Sequence, residues 1–268
     1  MPTTDLPPTS ELQALLRCAR EAAGAAAHHA LAHAARRRQA FRVFAHDVKL
    51  RLDRECQARA QAVILRRYPD HAILGEEGSS GASGAKAVWI VDPIDGTINF
   101  SHGLQWWCSS VAVRIAGRVV AGAVCAPAAG LEFSAHARSP ALCNGRRIRT
   151  SSVRTLREAL VLTGLDRHPG DRIASMKIFA RLERAVQKTR VLGSAALDIC
   201  NVARGAAEAY FESGIYVWDA AAAGLVLEQA GGLCLTVKAP GRHRIRCLAS
   251  NPPLFPALAR ILLMQNGR

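Results

Sequence analysis

An apolar run at residues 87–91 leads into Asp92-Pro93-Ile94-Asp95-Gly96-Thr97-Ile98-Asn99, and this junction constrains the fold more than any other segment. The run predicts a buried strand. The proline fixes its own φ and restricts the residue before it, so both carboxylates are held where the strand ends. Gly96-Thr97 is predicted to open a helix, whose first N–H groups and positive dipole end attract anions. A cation and a phosphate bound here would make a phosphoryl-transfer or phosphate-hydrolysis site. The simpler interpretation is a strand, a proline turn and an aspartate that only caps the helix.

The length and the cysteine pattern favour a soluble cytoplasmic protein with a large core. The chain has 268 residues, half of them apolar, which is enough for one large domain or two closely packed ones. Its eight cysteines are scattered without a C-x-x-C pair, which indicates reduced core residues in a cytosolic protein. The sequence predicts neither a signal peptide nor a membrane-spanning run, so we expect a cytoplasmic location and no membrane partner.

The net charge of +14 favours anionic partners. Phosphorylated metabolites, nucleic acids and anionic membranes would all be attracted, and charge alone does not choose among them. The basic residues are not interleaved with aromatic residues and form no nucleic-acid motif, which favours a basic solvated surface over a dedicated nucleic-acid face.

The hydrophobic patterning predicts an α+β fold with strands early and alternating strands and helices late. Helices are predicted up to about Arg38 and over residues 48–67, 171–187, 194–204, 218–229 and 253–264. Strands are predicted over 72–74, 88–91, 159–162, 189–192, 209–211 and 247–249, with a meander over 108–133 and a hairpin turn at Asn144-Gly145. A change of composition near 150–152 predicts two halves packed as one unit. Residues 1–152 form the α+β half with metal-binding motifs, and 153–268 form the α/β half with substrate-binding motifs.

Acidic residues recur where apolar strands end or helices begin. They are Glu76, Asp92, Asp95, Glu212 and Asp219. Ligand crevices of open α/β sheets form outside the strand C-termini, so these carboxylates are expected to meet. Carboxylate and carbonyl oxygens suit Mg²⁺ or Mn²⁺, and the lack of an accompanying His/Cys cluster disfavours zinc. Clustered carboxylates repel one another unless cations neutralise them, and such cations lower the pKa of a bound water.

Several segments resemble the signature motifs of the inositol monophosphatase family. They are Gly75-Glu76-Glu77, Trp89-Ile90-Val91-Asp92-Pro93-Ile94-Asp95-Gly96-Thr97-Ile98-Asn99-Phe100, Gly193-Ser194-Ala195-Ala196, Ala209-Tyr210-Phe211-Glu212-Ser213-Gly214 and Trp218-Asp219-Ala220. The resemblance implies a layered αβαβα sandwich, the sugar and inositol phosphatase-like fold, which generally forms a homodimer.

The resemblance also implies a role for each site residue. Magnesium would be held by the side chains of Glu76, Asp92, Asp95 and Asp219 and by the carbonyl of Ile94. Glu76 and Thr97, oriented by Asp53, would position and help deprotonate a water that attacks phosphorus in line. Gly96 and Thr97 would hold the phosphate, and Glu212 would meet the substrate's hydroxyls. The implied substrate-binding set is Ile94, Asp95, Gly96, Thr97, Gly193, Ser194, Ala195, Glu212 and Asp219.

Two departures from the family pattern leave the substrate open. Leu50 stands where the family carries a threonine shortly before Asp53, and Tyr216 stands where many relatives carry histidine. Inositol monophosphate is preferred, with 3′-phosphoadenosine nucleotides, histidinol phosphate and fructose 1,6-bisphosphate as alternatives. The role of the region around Asp47 is also open. A second hypothesis, based on the charge, is a basic RNA- or transcription-complex-binding protein on the same fold.

Overall fold

The computed structural model describes residues 6–44, 47–82, 84–165 and 169–263. The helices are α1 Thr9–Ala32, α2 Arg51–Arg67, α3 Thr97–His102, α4 Pro169–Ala185, α5 Ala195–Ala203, α6 Val217–Gln229 and α7 Phe255–Leu263. The strands are β1 Ala40–Phe44, β2 Asp47–Leu50, β3 Ala72–Gly75, β4 Gly78–Ser80, β5 Ala87–Asp95, β6 Cys108–Ile115, β7 Arg118–Ala126, β8 Leu131–His136, β9 Leu142–Cys143, β10 Arg146–Arg147, β11 Leu160–Thr163, β12 Lys188–Arg190, β13 Ala209–Tyr216, β14 Leu233–Lys238 and β15 Arg244–Ser250. None of the helices in these ranges is long and apolar enough to cross a membrane.

An eight-stranded sheet carries the first acidic motifs. Its order is β10-β9-β8-β7-β6-β5-β3-β4, and neighbouring strands are antiparallel except for β3 and β5. Ala116 and Gly117 join β6 to β7 with φ of 48° and 80°, and Asn144 and Gly145 join β9 to β10 with φ of 49° and 75°. Such positive-φ turns match the right-handed twist of the flanking strands. The predicted meander and hairpin are confirmed.

A five-stranded sheet follows in the second part of the chain. Its order is β12-β11-β13-β15-β14, with β11 parallel to β12 and to β13 and the remaining pairs antiparallel. Parallel neighbours need crossover connections, and α4 and α5 supply them. The predicted alternation of strands and helices is therefore confirmed for this region.

The side chains of β5 alternate between two cores. Trp89 and Val91 pack beneath α1 and α2, whereas Ile90 packs in the cluster that contains α5 and α6. That second cluster also contains Tyr210 of the five-stranded sheet, so α5 and α6 lie between the sheets. On the outer face of the second sheet, α4 and α7 close the stack. The order of layers is the αβαβα sandwich expected from the sequence.

Two predicted helix boundaries are wrong. The first helix ends at Ala32 rather than near Arg38, and residues 48–50 belong to β2 rather than to α2. Leu50 pairs with Ala40, and its backbone N–H donates to Asp53 Oδ2 at 2.6 Å, which fixes the start of α2. The apolar spacing of so short a segment fits a strand as well as a helix, so the pairing partner decides.

The strands divide near the predicted boundary at residue 152. The eight-stranded sheet ends with Arg147, and the five-stranded sheet begins at Leu160. One hydrophobic cluster nevertheless contains residues of both sheets. The division into two halves packed as one unit stays a prediction.

Candidate active site

Three of the predicted acids converge where β5 ends and α6 begins. Carboxylate oxygens of Asp92, Asp95 and Asp219 all lie within 4.8 Å of one another. Asp92 and Asp95 are 2% and 8% exposed, and Asp219 is partly exposed. The structure therefore brings Asp219 together with two acids that precede it by more than 120 residues, and it leaves Asp219 partly exposed.

A β-bulge turns Asp92 and Asp95 to the same side of the sheet. In a regular strand, residues three apart point to opposite faces. Asp92 pairs with Ser110 and Asp95 pairs with Cys108, so Pro93 and Ile94 face the single residue between those partners. The extra residue restores a common direction for the two carboxylates. Proline suits a bulge because it has no N–H that would need a partner in the ladder.

The Asp95 carboxylate is held by the start of α5. It accepts hydrogen bonds from Ser194 Oγ at 2.5 Å, from Ala196 N at 2.8 Å and from Ala195 N at 3.3 Å. Burial raises the pKa of Asp95, while these donors act in the opposite direction. Because β5 and α5 belong to different parts of the chain, Asp95 joins them at the site.

Asp92 and Asp219 are less well stabilised as anions. Burial raises the pKa of Asp92 well above its ordinary value, and the surrounding carboxylates raise it further. Removal from water and the charge of Asp95 raise the pKa of Asp219 well above its ordinary value, although the Tyr216 N–H donates to Asp219 Oδ2 at 2.8 Å. Asp92 Oδ1 is buried and has no hydrogen-bond partner among the described residues.

This donor set fits a hard divalent cation. All of the converging atoms are carboxylate oxygens, which Mg²⁺ and Mn²⁺ prefer. A cation would give Asp92 Oδ1 its missing partner and would neutralise charges that now repel one another. The three converging residues are all aspartates, and the Cys108 thiol donates to Asp95 Oδ2 at 3.7 Å.

Glu76 lies beside the three converging aspartates rather than among them. It follows β3, its backbone N–H donates to Val91 O of the parallel neighbour β5 at 3.1 Å, and its charge raises the pKa of Asp92. Gln57 of α2 fixes this turn, since its Oε1 accepts from Glu77 N at 2.9 Å and its Nε2 donates to Gly78 O at 3.0 Å. Sequence reasoning missed Gln57, which shares the buried face of α2 with Asp53 and four apolar residues.

The turn at Glu76 also explains why residue 75 is a glycine and where the side chain of Glu77 points. A Cβ at Gly75 would lie 2.3 Å from Gln57 Oε1, so only glycine leaves room for the amide. The Glu77 side chain is 5% exposed and lies 3.9 Å from the Arg54 guanidinium. It is thus directed to α2 rather than to the cluster.

Gly96 and Thr97 form the turn where an anion is expected. Gly96 has a φ of +87°, and a Cβ there would lie 3.0 Å from Trp106 O, so the turn requires glycine on both counts. The Thr97 hydroxyl donates to Ile94 O at 2.8 Å. Since a hydroxyl has one proton, Thr97 Oγ1 is left with lone pairs that can accept. The predicted orientation of Thr97 by Asp53, which accepts from Leu50 N, stays a prediction.

Asn99 ties this turn to two loops. Its Nδ2 donates to Trp106 O at 2.8 Å and to Leu192 O at 2.7 Å, next to Gly193. The Trp106 indole N–H in turn donates to the buried Asp198 of α5 at 3.0 Å. Burial raises the pKa of Asp198 well above its ordinary value. Sequence reasoning gave no site role to Asn99 and Asp198, because Leu192 and Trp106, which they bind, lie 93 and 92 residues away in the chain.

Several groups that are predicted to bind the substrate already form hydrogen bonds within the protein. The Ser194 hydroxyl and the Ala195 N–H donate to Asp95, so these two groups hold one member of the aspartate cluster in place. Glu212 accepts from the Tyr210 hydroxyl at 2.7 Å and fills the space above Gly164. Tyr216 is 42% exposed and stacks on Trp218, with ring centroids 5.0 Å apart. The side chain of Asp47 lies outside the described part of the chain.

Comparison with known proteins gives a consistent result. The chain matches the inositol monophosphatase family over residues 11–262. It is 36% identical to the phosphatase IMPL1 of Arabidopsis thaliana over 79% of its own length and 60% of that protein's length. It is 34% identical to the Nus factor SuhB of Pseudomonas aeruginosa, with 80% of this chain and 82% of that one covered.

A solved structure extends the match to three dimensions. The inositol monophosphatase of Anabaena superposes with a TM-score of 0.81 at 32% identity, with 95% of this chain and 97% of that one covered. The predicted family and the predicted layered fold are both confirmed. The chain therefore belongs to the inositol monophosphatase family, whose members are metal-dependent phosphatases.

Proposed function

We propose that this protein is a Mg²⁺-dependent phosphomonoesterase of a small phosphorylated metabolite, with inositol monophosphate as the first candidate. The observation that carries the proposal is the convergence of Asp92, Asp95 and Asp219 with one buried oxygen of Asp92 lacking a hydrogen-bond partner among the described residues. The glycine turn at Gly96 lies next to this cluster and suits a phosphate. Membership of the family supports the same reaction class.

The residues that would hold the cation are Glu76, Asp92, Asp95, Asp219 and the carbonyl of Ile94. When bound, a divalent cation supplies charge neutralisation of the phosphate and activation of a water. The Gly96 N–H would bind a phosphate oxygen at the helix start. With its proton directed to Ile94 O, Thr97 Oγ1 would accept a hydrogen bond from the attacking water and so orient it.

Proton transfer would fall to Glu76. It lies at the edge of the cluster, where it can accept a proton from water as the water attacks phosphorus in line. Asp53 would orient Thr97 when the Thr97 hydroxyl, with its single proton, donates to the Asp53 carboxylate instead of to Ile94 O. Together these residues allow direct transfer to water without a covalent enzyme intermediate.

Hydroxyl groups of the substrate would meet Glu212 and the backbone around Gly193, Ser194 and Ala195. A carboxylate can accept hydrogen bonds from adjacent hydroxyls, which suits a polyol such as inositol. Adenosine 3′,5′-bisphosphate, histidinol phosphate and fructose 1,6-bisphosphate stay as alternatives. A homodimer and a cytoplasmic location are also proposed.

A phosphate-release panel tests the proposal. The purified protein is assayed with inositol 1-phosphate and the three alternative substrates, with Mg²⁺ and with a chelator, alongside Asp95→Asn. We expect Mg²⁺-dependent release from at least one substrate, highest for inositol 1-phosphate, and near-complete loss in the variant. Release that persists in the chelator or in Asp95→Asn would overturn the mechanism. A higher kcat/KM for another substrate would replace the first candidate.

A second candidate function is binding to RNA or to a transcription complex. It is supported by the net charge of +14 and by the similarity to a protein named as a Nus factor. Binding through phosphate contacts releases counterions, so affinity for RNA should fall steeply with salt. Fluorescence anisotropy with labelled single-stranded RNA measures this. No retention of RNA even at low salt would remove the candidate and would leave the phosphatase proposal untouched.

A further inference from the structure

Ser109 of β6 contacts the metal-binding bulge from behind. It is fully buried, and its Oγ donates to the carbonyl of Pro93 at 2.5 Å. Pro93 lies between Asp92 and Asp95, which are two of the converging acids. This serine has no part in the reaction as proposed above.

Ser109 points away from the cluster. In the sheet it pairs with Cys125, and Cys125 packs in the hydrophobic cluster beneath α1 and α2. The converging carboxylates face the opposite side, where Asp95 meets α5. Ser109 therefore acts through Pro93 and does not itself reach a bound cation.

The bulge leaves the Pro93 carbonyl outside the regular ladder. Two residues, Pro93 and Ile94, face Ser109 alone, so the ladder cannot satisfy both of their carbonyls. The hydroxyl of Ser109 takes the first, and the hydroxyl of Thr97 takes the second at 2.8 Å. Side-chain hydroxyls thus donate to both carbonyls in the bulge.

This hydrogen bond limits the torsions between the two acids. The pyrrolidine ring fixes φ of Pro93, and the Pro93–Ile94 peptide is planar, so ψ of Pro93 decides where that peptide points. The bond from Ser109 holds the carbonyl and with it that ψ. The direction of Ile94 O and the spacing of the carboxylates follow from the same backbone angles.

We propose that Ser109 is a positioning residue for the divalent cation, acting through the Pro93 carbonyl on Asp92, Asp95 and the Ile94 carbonyl. The inference rests on the proposed metal site. Loss of the Ser109 hydroxyl leaves a buried carbonyl without its partner and frees the peptide to rotate, so the ligands no longer share one centre. Partners of this kind around a metal site typically change its affinity by about 10–100-fold.

Ser109→Ala tests the proposal, with Ser109→Cys as a second variant that keeps the volume but offers only a weak donor. The matched control is Ser250→Ala. Ser250 is also fully buried in a strand, and its hydroxyl also donates to a backbone carbonyl, that of Asn251 at 2.8 Å, but it lies outside the cluster. The readout is Mn²⁺ binding to the metal-free full-length chain, measured as free Mn²⁺ by electron paramagnetic resonance. Thermal unfolding is recorded in parallel.

We expect the Mn²⁺ dissociation constant to rise by about tenfold or more in Ser109→Ala and to rise less in Ser109→Cys. Ser250→Ala should bind Mn²⁺ like the wild type, even if its melting temperature falls as much as that of Ser109→Ala. Wild-type affinity in Ser109→Ala, or equal weakening in Ser250→Ala, would overturn the positioning role. If Ser109→Ala does not fold, the Mn²⁺ dissociation constant of Ser109→Cys is compared with that of Ser250→Ala instead, and wild-type affinity in Ser109→Cys would overturn the positioning role. Absence of Mn²⁺ binding in the wild type would instead contradict the proposed metal site.

Discussion

The three converging carboxylates differ in how many hydrogen bonds they already accept. Asp95 accepts from Ser194, from the Cys108 thiol and from two backbone N–H groups. Asp219 accepts from the N–H of Tyr216. Asp92 Oδ1 is buried and, within the described ranges, accepts none. A buried carboxylate oxygen that lacks a partner is costly unless the group is neutralised. Asp92 is therefore the residue that gains most from a bound cation.

Replacing Asp92 with Asn should lower the phosphatase activity without lowering the stability of the metal-free protein. The amide keeps the shape and cannot ionise, so it avoids the burial and repulsion that raise the pKa of Asp92. The metal-free variant should therefore melt at or above the wild-type temperature, by about 2–4 °C per kcal/mol gained. Phosphate release at saturating Mg²⁺ should fall more than about 100-fold, because a direct ligand is lost. Calorimetry and a phosphate assay measure the two effects. The exposed Asp70→Asn is the control, and a marked loss of stability in metal-free Asp92→Asn would contradict the assignment.

Helix starts are the elements that hold the acids. Asp53 near the start of α2 and Asp219 near the start of α6 each accept the N–H of the residue three positions earlier, and Asp95 accepts N–H groups at the start of α5. The positive end of each helix dipole favours the charged carboxylate. Secondary structure thus offsets part of the repulsion at the site before any cation binds.

Trp89, near the start of β5, packs in an aromatic cluster with Tyr68 and His71. The Trp89 indole N–H donates to His71 Nδ1 at 3.0 Å, and His71 stacks on Tyr68 with ring centroids 4.7 Å apart. An indole can only donate, so His71 Nδ1 must be unprotonated. Burial lowers the pKa of His71 below its ordinary value.

This cluster predicts a pH dependence of stability. The unfolded chain binds a proton at His71 at a higher pH than the folded chain does, so the free energy of unfolding falls as the pH drops through about 6.5 toward the lower folded value. His71→Asn keeps an acceptor near Trp89 without titrating, so the slope between about pH 5 and 7 should become smaller. Urea unfolding at several pH values measures the slope. His102→Asn is the control for loss of one histidine, and an unchanged slope in His71→Asn would contradict the prediction.

Elements with strong internal patterning could be predicted from the sequence, whereas two exposed edge strands could not. The run at residues 87–91 and the alternation in β6 and β7 are apolar enough to identify strands. By contrast, all three residues of β4 are exposed, and β14 exposes Leu233 and Val237, because the two strands lie at sheet edges. Such strands are defined by pairing with a neighbour, which local patterning does not encode.

The same distinction applies to the site. Asp92, Asp95 and Asp219 could be predicted because carboxylates beside apolar segments are costly and specific, and the family resemblance gave them roles. Ser109 and Asn99 could not, because a hydroxyl or amide is common and its partner is distant. Asn99, for example, binds a carbonyl 93 residues away.

At the scale of the whole molecule, the site joins the two sheets. The eight-stranded sheet contributes Asp92 and Asp95, and α6, which follows the last parallel strand of the five-stranded sheet, contributes Asp219. A cation bound by all three would link the layers, and binding to the folded state alone stabilises it by mass action. The charge of +14 would attract phosphorylated substrates to the same opening.

The central claim is that acids from separate layers form one divalent-cation site. Isothermal titration of the metal-free protein with Mg²⁺ tests this claim most directly. We predict saturable binding to the wild type, strong weakening in Asp92→Asn and in Asp219→Asn, and normal binding in the exposed-site control Asp70→Asn. Absence of binding to the folded wild-type protein, or equal affinity in Asp92→Asn, would contradict it.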